Sequence, residues 1–107
     1  MSLRVLVVDD DVALLDLMSE VLASDDTEVT PMNDSENAAA LVQKERFDGI
    51  FLDLKMPKIG GLELAKRIRQ TALNKSTPII VVNRRGPTNS NATSVRRRRD
   101  FLSSETG

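Results

Sequence analysis

Short apolar runs alternate with segments of helical periodicity, and this alternation restricts the chain more than any other feature. The runs are Leu3-Arg4-Val5-Leu6-Val7-Val8, a shorter one around Glu28 to Met32, Gly49 to Asp53, and Pro78-Ile79-Ile80-Val81-Val82. Between the first two lies "VALLDLMSEVLAS", where Leu14, Leu15, Met18, Val21 and Leu22 recur at helical spacing and Asp11 is placed to cap the first turn. "NDSENAAALVQKERF" predicts a second helix, with Asp34 or Ser35 as N-cap and Ala38, Ala39, Leu41 and Val42 as its apolar stripe. "GLELAKRIRQTA" predicts a third, with Leu64, Ala65, Ile68 and Ala72 inside and Lys66, Arg67 and Gln70 outside. Strands separated by helices pair in parallel through right-handed crossovers. A doubly wound α/β domain follows, with its parallel sheet covered by helices on both faces.

The 107 residues suit a single domain over 1–107, and 40% hydrophobic residues with only 3% aromatics require an aliphatic core. The pattern is clear over 3–82 and changes at 83–107. There "RRGPTNSNATSVRRRRDFLSSETG" allows a weak fourth helix over 88–98 and a short fifth strand at Asp100 to Ser103. The sequence then stops where one more helix is expected, so this part reads as atypical or truncated. Loss of that helix would uncover apolar faces, and dimerisation through the C-terminal region or low stability is the expected consequence.

Absent residue types remove whole classes of chemistry. There is no cysteine and no histidine. Disulfide scaffolds, thiolate metal sites, Cys nucleophiles, Ser-His-Asp triads and His-ligated metals are therefore excluded. No segment resembles a signal peptide, and no apolar run approaches the roughly 18 residues of a membrane span, so the expected location is cytoplasmic with no membrane partner. The net charge of −1 divides unevenly: residues 1–82 carry nine Lys/Arg against fourteen Asp/Glu, and residues 83–107 carry six Arg against two acids. An acidic body argues against nucleic acid as the main partner. Arg96 to Arg99 have no aromatic residues between them, and a solvated basic segment is the simpler reading of such a run.

Two of the apolar runs end in acids. The first gives Asp9-Asp10 and the third gives Asp53. Ligands of open parallel sheets sit beyond the carboxyl ends of the strands, where the strand order reverses. In the order 2-1-3-4-5 these two ends are neighbours and three carboxylates converge. Crowded carboxylates resist joint ionisation, and a hard divalent cation such as Mg²⁺ would relieve the repulsion. Taken alone, an acid ending a strand is more often a turn or capping residue, and Asp11 is read that way.

"VLVVDDD", "LDLKMP" and "GGLEL" together resemble the receiver domain of bacterial two-component response regulators, a family with a flavodoxin-like sheet. The resemblance implies that Asp53 accepts a phosphoryl group from a sensor histidine kinase, and that the chain is a signalling domain, not a turnover enzyme. It also implies that Asp9, Asp10 and Asp53, with the backbone carbonyl of Lys55, hold Mg²⁺. Pro57 and Gly61 match the family's turn, where proline fixes φ and glycine permits conformations closed to other residues, and Gly60 stands where an acid or other polar residue is common. The departures lie later. Asn83 occupies the position of a switch Ser or Thr, Phe101 that of the switch aromatic, and Ser104 and Glu105 replace a Lys and a Pro. One reading keeps phosphoacceptance, with Arg84, Arg85 or the 96–99 run standing in for the lysine. The alternative is a pseudo-receiver, a protein-interaction module that does not switch on phosphorylation. A haloacid-dehalogenase-like phosphatase fails on its motif, because Ala13 stands where Asp-x-Asp-x-Thr/Val needs its last residue.

Overall fold

The computed structural model describes residues 2–83. Four strands and three helices alternate along them: β1 (Leu3–Val8), α1 (Val12–Leu22), β2 (Thr27–Met32), α2 (Ser35–Leu41), β3 (Gly49–Asp53), α3 (Gly61–Arg69) and β4 (Ile79–Val82). The strands form one sheet in the order β2-β1-β3-β4, and every pairing is parallel. This is the expected flavodoxin-like order. The fourth helix over 88–98, the fifth strand at 100–103 and the proposed self-association through 83–107 lie outside the described residues.

Pleating sends alternate side chains to opposite faces. Leu6 and Val8 of β1 and Ile50 and Leu52 of β3 join Ala38, Val42, Phe47, Ile59, Leu64 and Ile68 in one buried cluster against α2 and α3. Val7, pointing the other way, is also buried, on the side of α1. Reversal of the winding direction at β1 places the first helix on one face and the next two on the other. Each fully buried Leu or Ile contributes roughly 1.5–3 kcal/mol.

Helix starts follow their capping residues. Asp11 caps α1, its Oδ1 accepting from the Leu14 amide at 3.2 Å. Of the two candidates at α2, Asp34 is the cap, accepting from the amides of Glu36 and Asn37 at 2.9 and 3.1 Å. Helix ends are where the sequence pattern misleads. The second helix, expected to run towards Phe47, stops at Leu41, and the third, expected to 72, stops at Arg69. One residue explains both. Asn74 is fully buried, and its Nδ2 donates to the carbonyls of Val42 (2.6 Å) and Glu45 (2.8 Å), which a longer α2 would have used itself. Its Oδ1 accepts from the Phe47 amide (2.9 Å) and the Thr77 hydroxyl (3.0 Å). Its own amide donates to Thr71 Oγ1 at 3.0 Å, closing the turn after α3 and leaving Ala72 exposed, not on the apolar face.

The stripe of α1 also differs from expectation. Leu15 is buried, but Val21 is 72% exposed, so the helix rests on the sheet along a narrower face than its apolar residues suggest. Leu17 and, on β4, Ile80 are likewise exposed.

The Asn74 side chain is saturated, so its removal strands several buried partners at once. Asn74→Ala is expected to lower unfolding stability by roughly 2–4 kcal/mol in urea denaturation. A loss well under 1 kcal/mol would show that these bonds do not hold the two helix ends in place.

Candidate functional site

β1 and β3 pair with Val8 opposite Leu52, so the residues that follow, Asp9 and Asp53, reach the carboxyl edge of the sheet together. Carboxylate oxygens of Asp9, Asp10 and Asp53 lie within 4.8 Å of one another. Asp9 and Asp53 are buried, at 3% and 5% exposure, and Asp10 is exposed. Asp9 Oδ1 accepts from the Asp11 amide at 2.9 Å, which shapes the turn from β1 into α1. An apolar groove lined by Val7, Leu14, Met18, Phe51 and Val82 adjoins Asp9 and Asp53 on the α1 side. Two unit charges about 5 Å apart repel by roughly 3 kcal/mol at an effective dielectric of 20. An all-oxygen donor set under this repulsion fits a hard divalent cation of the Mg²⁺ or Ca²⁺ type.

The loop after Asp53 is pinned at both ends. The Leu54 amide donates to the Val82 carbonyl at 2.9 Å, and the Gly61 amide donates to the Leu54 carbonyl at 2.8 Å. Lys55 lies between these anchors, two residues past Asp53, with its side chain exposed. Gly61 is required for space: a Cβ there would stand 2.3 Å from the Asp53 carbonyl oxygen and 2.9 Å from Leu54 Cα. Conformational freedom, the reason expected from sequence, is needed elsewhere. The left-handed residue of this loop is Lys58, at φ 70°. Pro57, one residue earlier, is exposed, and its carbonyl accepts from the Ile59 amide at 2.8 Å.

The Lys58 ammonium reaches back to α2, donating to Asp34 Oδ2 at 2.8 Å, with Glu36 at 3.7 Å. The hydrogen bond from Lys58, together with the Asn37 amide, holds the Asp34 carboxyl below its ordinary pKa. Asp34 in turn raises that of the Lys58 ammonium. Asn83 follows Val82, the register partner of Asp53, and is exposed beside the same edge of the sheet. Phe101 and Ser104 lie outside the described residues. Sequence reasoning brought Asp9, Asp10 and Asp53 to one place correctly. It missed the grip of Asp34 and Ser35 on the loop, whose only trace in the sequence is a pair of polar residues at a helix start.

Two outcomes follow from this geometry. Gly61→Ala is expected to cost at least roughly 1–3 kcal/mol of stability, whereas Gly60→Ala, where a Cβ meets only Leu54 O at 3.5 Å, costs under about 1 kcal/mol; equal losses in urea unfolding would contradict the close approach. The second concerns pH. Asp34's pKa is depressed, so the contribution of its pair with Lys58 is present above the ordinary carboxylate range and is lost as pH falls through the depressed value. On the alkaline side it is lost as pH rises through Lys58's raised value. The stability difference between wild type and Lys58→Gln should therefore exist near neutrality, shrink at both extremes and weaken in high salt. A difference that is independent of pH would refute the pair's role.

Comparison with known proteins agrees with this architecture. The profile described as the response regulator receiver domain matches residues 5–100. The regulatory protein VanRc of Enterococcus gallinarum is 33% identical over 86 residues, 80% of this chain and 36% of that protein. The chain thus spans about a third of the length of the curated relatives it matches. Among solved structures, chemotaxis protein CheY4 of Vibrio cholerae superposes with a TM-score of 0.71 at 36% identity, over 76% of this chain and 68% of that one. The receiver domain of sensor histidine kinase PA1611 from Pseudomonas aeruginosa PAO1 gives 0.70 at 25% identity, over 76% and 66%, and holds a magnesium ion in its active site cleft. With a matching profile over most of its length and its acids at the reversal of the strand order, the chain belongs to the response regulator receiver domain family.

Proposed function

We propose that this receiver domain takes a phosphoryl group from a sensor histidine kinase onto Asp53, in the cytoplasm, as a signalling step and not as catalytic turnover. The observation that carries the reading is the convergence of Asp9, Asp10 and Asp53 at the carboxyl ends of β1 and β3, with oxygens within 4.8 Å. The Asp9, Asp10 and Asp53 carboxylates and the Lys55 backbone carbonyl would hold Mg²⁺, whose charge offsets that of the carboxylates and of the incoming phosphoryl oxygens. A magnesium ion in the cleft of the PA1611 receiver domain supports that choice of metal.

The chain's own residues supply position and a nucleophile. An Asp53 carboxylate oxygen attacks phosphorus in line, a P–O bond forms, and the P–N bond to the kinase imidazole breaks as that ring leaves and takes up a proton. The product is a mixed anhydride, readily hydrolysed, which suits a reversible signal. Burial of Asp53 in a tight strand end holds its oxygen in place, and the Gly61 contact fixes the backbone directly behind it. Asn83 would meet the phosphoryl group with an amide where the family has a hydroxyl. Its different reach is the reason to expect altered coupling between phosphorylation and movement.

Incubation with MgCl₂ and acetyl phosphate, followed by intact mass, tests the proposal. One added phosphoryl group is expected, lost with EDTA and absent in Asp53→Ala. An unmodified wild-type mass, or a phosphoryl group that persists in Asp53→Ala, would refute it and leave the non-switching interaction module as the better account.

A further inference from the structure

The turn at Lys58 is the one place where the described backbone takes up a conformation unfavourable to its side chain. The Ile59 amide donates to the Pro57 carbonyl at 2.8 Å across a residue at φ 70°, the form of a γ-turn. Turns of this hand are rare and strained in residues other than glycine, and persist only when their surroundings hold them. Two consecutive residues at the start of α2 do so. Ser35, 3% exposed, donates its hydroxyl to the Pro57 carbonyl at 3.1 Å and accepts from the Ile59 amide at 3.2 Å, so one oxygen clasps both sides of the turn. Asp34, while capping α2 with Oδ1, holds the Lys58 ammonium with Oδ2 at 2.8 Å. Ile59, the next residue, is buried in the main core.

The consequence falls on the residues between the two anchors. Asp53 closes β3, Leu54 is bonded to β4, and the clasp begins at Pro57. Lys55 and Met56 therefore span a short gap whose two ends are both fixed. We infer that Ser35 is a positioning residue for the acidic site: by holding the left-handed turn at Lys58, it sets the Lys55 backbone for the divalent cation. This inference rests on the proposal that Asp9, Asp10, Asp53 and the Lys55 carbonyl take Mg²⁺. It adds to that set a serine 22 residues distant in sequence from the proline it grips. Groups that orient metal ligands from behind commonly alter affinity when removed.

The experiment is a MgCl₂ titration by isothermal calorimetry on the full chain, each variant first shown to be folded by circular dichroism. Ser35→Ala is expected to weaken Mg²⁺ binding roughly 3- to 10-fold, at or below the lower end of effects seen for partners of metal ligands. Lys58→Val and Lys58→Gly both lose the ion pair with Asp34, but only glycine accepts a positive φ without cost. Lys58→Val should therefore weaken binding by a similar factor, while Lys58→Gly stays within about twofold of wild type. Because Lys58 is exposed, its variants test the same geometry even if Ser35→Ala fails to fold. Wild-type affinity in Lys58→Val, or in folded Ser35→Ala, overturns the inference while leaving the cation site intact. No saturable binding by the wild type overturns the cation reading and this inference together.

Discussion

Parallel pairing of β1 with β3 is the constraint from which the rest of the site follows. Because Val8 lies opposite Leu52, both strands run out of apolar residues at the same level, and the acids that end them meet. Had the register slipped by one residue, every side chain of β3 would have changed face, and Leu52 would have left the core. The same packing that buries Leu6, Val8, Ile50 and Leu52 therefore aligns Asp9 with Asp53. Hydrophobic burial provides the free energy, and the carboxylates are held together against their mutual repulsion as its by-product.

Around that edge the chain uses steric and polar devices where aromatic bulk is scarce. Gly61 lets the start of α3 press against the Asp53 carbonyl. Asn74 ties the ends of α2 and α3 to the loop before β3. Ser35 and Asp34 bind the loop beyond Asp53 to α2. Gly61, Asn74 and Ser35 act on backbone groups, whereas Asp34 grips the loop through its ion pair with the Lys58 side chain.

Much of this was readable from the sequence, for a physical reason. Parallel strands buried on both faces must be continuous apolar runs, and an acid at the end of such a run stands out. The parallel sheet and the acids at its strand ends followed from that contrast, Asp11 and one of the two candidates for the second cap followed from helical spacing, and the strand order that brings Asp9, Asp10 and Asp53 together followed from the resemblance to receiver domains. The ends of α2 and α3 did not, because they are set by Asn74, a polar residue in a stretch with no periodicity, whose partners are 29 and 32 residues away. Val21 misled because helical spacing identifies an apolar stripe without revealing how much of it the sheet covers. The turn at Lys58 was hidden for the opposite reason: unusual backbone conformation was expected at Gly61, whereas contacts from Ser35 and Asp34 hold it at a lysine.

The central claim is that the three acids form a cation-dependent phosphoryl site with Asp53 at its centre. Fluorine NMR with beryllofluoride, a phosphoryl mimic that bonds to a carboxylate oxygen, addresses metal and acceptor together. The account predicts protein-bound fluorine resonances in the presence of Mg²⁺ that disappear in Asp53→Asn and on removal of the metal. Signals from free fluoroberyllates alone, or bound resonances that survive in Asp53→Asn, would contradict it.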